Sequence, residues 1–308
     1  MPEPVNPGAK ISLSELSDAR RRLSGFRRAH RASDRRAAGK LLESTLTKAG
    51  VDLEPLKALR IQREAATREQ IARIKAEADE HSSATRSAVE YTIQAWRKDI
   101  GNLSTLQPPP NVQRFLLDTA SEIATTPGLD PVAKQIGPQD NSARFHFEST
   151  DSGFEQVDFG FLWQNPNDQS ALVNVDGYLI LNGLCQVLVS GDFFGISSGV
   201  EIRTFLRIHQ LWNSPPTSPA PQSSQFQRAL QIDLDNPGPF SGGEISSENL
   251  FRGFDLQYSS FMVPPLAPAG FEMLCQSFYY NDDGEVNLFF SDRDRQVLCP
   301  GVLLTVMT

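Results

Sequence analysis

Five residues of this 308-residue chain carry the spacing of a hydrolase nucleophile: Gly195-Ile196-Ser197-Ser198-Gly199 matches G-x-S-x-G. Such a motif sets a serine on a sharp turn between a strand and a helix of a parallel sheet, where its hydroxyl is presented to an acyl carbon. Here the next residues, from Val200 on, alternate like a strand, so the five read as a Gly/Ser turn and not as an elbow. His30, His81, His146 and His209 are scattered, with no second His or Cys at ligand spacing, which leaves zinc unsupported. Three acidic stretches carry the oxygen donors that calcium takes: Asp233-Leu234-Asp235-Asn236, Asn281-Asp282-Asp283-Gly284-Glu285 and Asp292-Arg293-Asp294. Asn-Asp-Asp-Gly is also the chemistry of a tight turn, and a hairpin closed there is the expectation. Phosphate-cradling glycine motifs are absent. A glycosidase needs two carboxylates at a set separation, which a sequence alone cannot pair. No catalytic residue, metal or cofactor is assigned, and the expectation is a protein that is not an enzyme.

Binding chemistry is better represented. Trp163 belongs by pattern to a core, whereas Trp212 stands at the mouth of a Pro-rich stretch, and Tyr279 and Tyr280 must point to opposite faces of one strand. Trp212, Tyr279 and Tyr280 are therefore the candidate ligand-binding rings, for a sugar or a protein anchor. A second candidate surface is basic: Arg20, Arg21, Arg22, Arg27, Arg28, Arg31, Arg35 and Arg36. Residues 1–50 hold 11 Lys/Arg against 5 Asp/Glu, and residues 106–308 hold 9 against 23. A basic helical arm neutralises phosphates without reading sequence, which makes nucleic acid or an anionic membrane possible partners. Docking of the arm on the acidic part of the same or a neighbouring chain is the simpler reading. A basic arm ahead of a jelly roll resembles the layout of small RNA-virus coat proteins, a likeness of layout without a shared motif.

The elements that must position these residues fall into two kinds. From Val157 to Trp163, apolar Val157, Phe159, Phe161 and Trp163 alternate with Asp158, Gly160 and Leu162, the period of a strand with one buried face. Asn165-Pro166-Asn167-Asp168 stops it, and Asn182-Gly183 is expected to turn a type I′ hairpin between two further strands. Strands are also expected near 143–148, 200–212, 226–234, 250–263, 271–280, 285–291 and 296–307. About ten strands without helices between them point to an antiparallel sandwich, jelly-roll-like, over residues 143–308.

Ahead of it the chain looks helical. Residues 1–11 are expected to be a flexible leader and 12–107 an α-helical region, its basic first helix opened by the capping box Ser12-Leu13-Ser14-Glu15. A long helix over about 55–103 carries a thin apolar stripe ending in Val89, Ile93, Trp96, Ile100 and Leu103, a short heptad-like seam that needs a partner helix. Residues 108–142 are expected to be a Pro-rich linker opened by Pro108-Pro109-Pro110, with a short helix through Thr125.

No run of about 18 apolar residues occurs, and MPEPVNPGAK is not a signal peptide, so a cytoplasmic protein, or one released without a signal, is expected. Cys185, Cys275 and Cys299 lie on expected strands and read as buried thiols. Together these features favour an interaction or assembly protein, with an oligomerising or docking helical stalk and a ligand-presenting β-sandwich head. Its partners would be copies of itself and a protein or glycan. A pore-forming or membrane-acting toxin with rearranging helices is the second reading, and a coat protein with a nucleic-acid-binding arm the third.

Overall fold

Val157, Phe159 and Phe161 are at most 1% exposed, and the residues between them face the other way, which makes the expected strand real and puts one of its faces in a core. The computed structural model describes residues 82–105, 109–189, 196–236, 243–281, 284–291 and 295–308, with isolated helical positions between 44 and 76. Helix α1 (Ser82–Thr105) precedes β1 (Val112–Leu117), β2 (Glu122–Thr125), β3 (Asp130–Gln135), β4 (Asn141–Ser149), β5 (Gly153–Gln164) and β6 (Ala171–Val189). Then come β7 (Ile196–Gln210), β8 (Phe226–Asn236), β9 (Glu244–Val263), β10 (Pro268–Asn281), β11 (Gly284–Phe290) and β12 (Gln296–Met307).

The strands form two antiparallel sheets. A seven-stranded sheet runs β1-β12-β4-β11-β6-β9, with β3 on β4 and a further β12–β6 pairing, and a five-stranded sheet runs β2-β5-β10-β7-β8. Their inner faces share one core, in which Phe145, Phe159, Phe161, Phe254, Phe271 and Phe290 are all fully enclosed. This is a β-sandwich. All three cysteines are buried and free, and burial pushes their thiols up, that of Cys275 to about 12. Among the described residues no helix is long and apolar enough to cross a membrane.

Several expectations change. Asn182-Gly183 is not a turn: β6 runs straight through it, Gly183 pairing with Leu250 on one side while Asn182 lies opposite Gln296 on the other. The glycine is there for space, because a Cβ at Gly183 would run into the ring of Phe290. Residues 111–125 form no helix. Asn111 takes a left-handed conformation (φ 72°), and Val112–Leu117 then pair in register with Met307–Val302 of β12. Their apolar spacing suits either element, and the waiting edge of β12 decides it. Residues expected as a loop contribute β3, so the sandwich begins at β1 and not at residue 143. Nor does Asn281–Gly284 close a hairpin, since β10 and β11 belong to different sheets.

The helical region can be followed only in part. Helix α1 lies against the outer face of the seven-stranded sheet, where Trp96 stacks on Tyr178 of β6 with centroids 5.9 Å apart and planes 13° from parallel. Burial raises the carboxyl pKa values of Asp176 and Asp255, which flank Tyr178. The rest of the expected stalk lies outside the described residues or is described only at single positions.

Gly183→Ala should destabilise the chain by about 1–3 kcal/mol, because the added methyl forces Phe290 off its place in a filled core. Denaturant unfolding of the two proteins measures this, and an unchanged midpoint would mean that Gly183 is spare.

Candidate functional site

With Val157, Phe159 and Phe161 in the core, strand geometry obliges Gln156, Asp158, Gly160 and Leu162 to line the outer face of the five-stranded sheet. The same alternation turns Glu272, Leu274, Gln276, Phe278 and Tyr280 of β10 outward, and with them Glu201, Arg203, Phe205, Arg207 and His209 of β7. Register stacks these into rungs: Phe154, Phe278 and Glu201; Gln156, Gln276 and Arg203; Asp158, Leu274 and Phe205; Gly160, Glu272 and Arg207. On the edge strand β2, Glu122 stands opposite Gly160. Leu274 points away from the core yet has no exposed surface, so its neighbours close over it.

One end of this face is aromatic. Phe154 and Phe278 lie 4.8 Å apart, and the Arg203 guanidinium sits 4.7 Å from the Phe278 centroid and 5.4 Å from that of Phe226, across β5, β10, β7 and β8. Arg203 Nη2 donates to Glu201 Oε2 at 2.5 Å and Arg228 Nε to Glu201 Oε1 at 2.8 Å, and the Arg203 hydrogen bond is the chief reason the Glu201 carboxyl titrates low. Phe226 keeps 39% of its surface in solvent, a ring edge available for stacking.

The other end is acidic. Gln276 Nε2 donates to Gln156 Oε1 at 2.7 Å, and Gln156 Nε2 donates to Asp158 Oδ2 at 2.6 Å. Asp158 Oδ1 is buried and accepts nothing. Arg207 Nη1 donates to Glu272 Oε2 at 3.2 Å, and His209 Nε2 stands 3.0 Å from the same oxygen without the alignment of a hydrogen bond. Burial, then the charge of Glu272, push the Asp158 carboxyl up to about 7, with Glu122 adding to the rise and Gln156 and Arg207 opposing it.

The residues singled out by sequence are only partly gathered here. Tyr280 belongs to the face: its ring lies over Gly199, where a Cβ would come within 2.6 Å of it, and its hydroxyl donates to Asp233 Oδ1 at 2.9 Å. That contact accounts for the last glycine of the G-x-S-x-G stretch, whose serine, Ser197, is half-buried on β7 with no helix after it. Tyr279 points into the core, 5% exposed, with its ring 4.8 Å from that of Phe147. Trp212 is half-buried and stacks on Phe261 at 5.7 Å, away from the outer face. Arg20, Arg21, Arg22, Arg27, Arg28, Arg31, Arg35 and Arg36 lie outside the described residues, as do Asp282, Asp283, Asp292 and Asp294 of the acidic turns. Asp233 is engaged by Tyr280 and by Gln231, and among the described residues no three His, Cys, Asp or Glu converge to hold a metal ion. Phe154, Phe226, Phe278, Arg203 and Glu272 were not candidates by sequence. Alternation along β7 and β10 was the available signal.

No protein-family model matches the chain, and no curated protein does. Among solved structures, the enzymatically active domain of tailspike protein 4 from bacteriophage CBA120 aligns at 11% identity and TM-score 0.18, over 62% of this chain and 19% of that one. This chain thus spans about a fifth of the length of that protein. A lipoprotein from Bacteroides thetaiotaomicron aligns at 12% identity and TM-score 0.22, over 66% and 92% of the two chains. A family 11 carbohydrate-binding module from Clostridium thermocellum, solved with a mixed-linked tetrasaccharide, aligns at 9% identity and TM-score 0.16, over 63% and 91%. Alignments this slight leave both fold and site to be argued from the chain's own residues.

Asp158 should cost the fold stability at neutral pH. Its pKa is raised from 3.8 to about 7 on folding, so the penalty is absent below about 4, grows as pH climbs through that window, and is complete above 7. Asp158→Asn should therefore be the more stable protein at pH 8, by up to roughly 4 kcal/mol, with the difference fading at pH 4. Urea unfolding at the two pH values measures it, and a variant less stable at pH 8 would show that the carboxylate is compensated.

Proposed function

We propose that this chain is a non-enzymatic binding protein whose β-sandwich head takes a glycan on the outer face of the five-stranded sheet. The observation that carries the reading is the ladder of Phe154, Phe278, Arg203 and Phe226 set beside the planar polar groups of Gln156, Gln276, Glu201 and Asp158. A sugar offers an apolar C–H face that lies on rings and a rim of hydroxyls that donate and accept. Carboxylates, carboxamides and guanidinium groups answer that rim in pairs. Side chains held by their neighbours on strands lose little freedom when a ligand arrives. The helical N-terminal part is the docking or oligomerising element of this reading, supported by the Trp96–Tyr178 stack that seats α1 on the opposite sheet.

Purified full chain should bind a panel of immobilised neutral and amino-substituted polysaccharides, and should release no reducing ends from them. Phe226→Ala, a change at a partly exposed ring, should weaken binding about tenfold, the scale of a central aromatic contact. Binding unaffected by Phe226→Ala would move the site elsewhere, and released reducing ends would make the chain a hydrolase.

A further inference from the structure

At the acidic end of the outer face, three carboxylates surround a residue with no side chain. Gly160 stands in register with Glu122 on one side and Glu272 on the other, and Asp158 is the next outward residue on its own strand. The floor of this notch is backbone. Its movable wall is the exposed Glu122, whose Cγ lies 3.2 Å from where a Cβ on Gly160 would stand.

The charges around the notch do not balance. Among the described residues, the ion pairs of this sheet tie Arg207 to Glu272 and Arg203 and Arg228 to Glu201, and none reaches Asp158 or Glu122. Asp158 is only 8% exposed and its Oδ1 accepts no hydrogen bond, whereas buried polar atoms nearly always have a partner. The groups acting on it are Glu272 from β10, Gln156 from its own strand, Arg207 from β7 and Glu122 from β2, with the Cys275 thiol of β10 also within its field and His209 reaching only Glu272. A buried carboxyl flanked by two more is held toward its protonated form, and a positive charge brought beside it would favour the ionised one. Glu122 and Glu272 sit on strands to either side of β5, so their backbones are about 10 Å apart. Among the described residues no three such groups converge to hold a bare metal ion, and the spread of these carboxylates suits a cation that reaches its acceptors through separate N–H bonds.

We infer that this notch is a subsite for a protonated primary amine, so that the glycan taken by this face is an amino sugar whose nitrogen is free and not acetylated. The inference rests on the glycan reading above and narrows it. An ammonium supplies three donors, which Asp158, Glu272 and Glu122 can share. Its arrival favours the ionised form of Asp158, so the proton that Asp158 holds at slightly acid pH leaves to solvent when the amine binds.

Calorimetric titration of the full chain at pH 6 with a glucosamine tetramer and with its N-acetylated counterpart, each in two buffers of different ionisation enthalpy, tests this. The free-amine tetramer should bind about tenfold or more tightly than the acetylated one, the worth of a charge-assisted hydrogen bond, with net release approaching one proton per site. Asp158→Asn should abolish the proton release. Glu122→Gln, a change at an exposed position that leaves the fold alone, should weaken the amine and spare the acetylated sugar. Equal or tighter binding of the acetylated tetramer, or amine binding without proton release, overturns the inference. A chain that takes the acetylated tetramer alone loses the amine subsite and keeps its glycan-binding face, and a chain that takes neither loses both.

Discussion

An antiparallel strand with one face sealed in a core has no freedom about what its other face shows. In β5 the burial of Val157, Phe159 and Phe161 turns Asp158 and Gly160 outward, and a slip of one residue would put a carboxylate in the core and a phenylalanine in water. The same holds for β10, where Phe271, Met273 and Cys275 face inward. Three strands locked this way bring Asp158, Glu272 and Arg207 together from positions more than 40 residues apart in sequence. Everything else in the candidate site, including the aromatic ladder, depends on that register.

The two outer faces of the sandwich differ in kind. The five-stranded sheet shows water a crowded mixture of rings and charges. The seven-stranded sheet has α1 against it, anchored where Trp96 meets Tyr178. Farther along that sheet, Ser247, Gln186 and Asn287 stand in one register row across β9, β6 and β11, each with a buried side-chain atom that finds no partner. Such atoms cost stability. Both faces therefore carry polar groups that folding alone does not satisfy, and at Asp158 an unpartnered oxygen coincides with a carboxyl pushed up by burial.

Much of the architecture was legible because alternation is a local signal. β12 was readable to its ends, and the strands near 143–148, 226–234 and 271–280 were located to within a few residues. What failed were places where a distant partner overrode local chemistry. Asn182-Gly183 carries the composition of a turn, but Phe290, more than 100 residues later, needs the space that Gly183 leaves. Val112–Leu117 carries helical spacing, but β12 offers it an edge. The candidate site was illegible for the same reason. Asp158 was visible as an outward residue of its strand, while the sheet order that sets it near Glu272 and Gln276 is a property of pairing. Tyr279 and Tyr280 were correctly given opposite faces, yet only the fold says which face is core.

Only two residues separate β10 from β11, and those strands lie in different sheets. The strand that carries Glu272, Gln276 and Tyr280 through the middle of one sheet is thus tied at its end to the middle of the other. Sliding or splaying of the two layers would have to stretch that tie, and a connection of two residues has little length to give. The outer face accordingly behaves as part of a single stiff body and not as a jaw. On the glycan reading proposed above, a ligand meets strands already in place and only side chains are left to adjust, so differences between related ligands should appear in how long they stay.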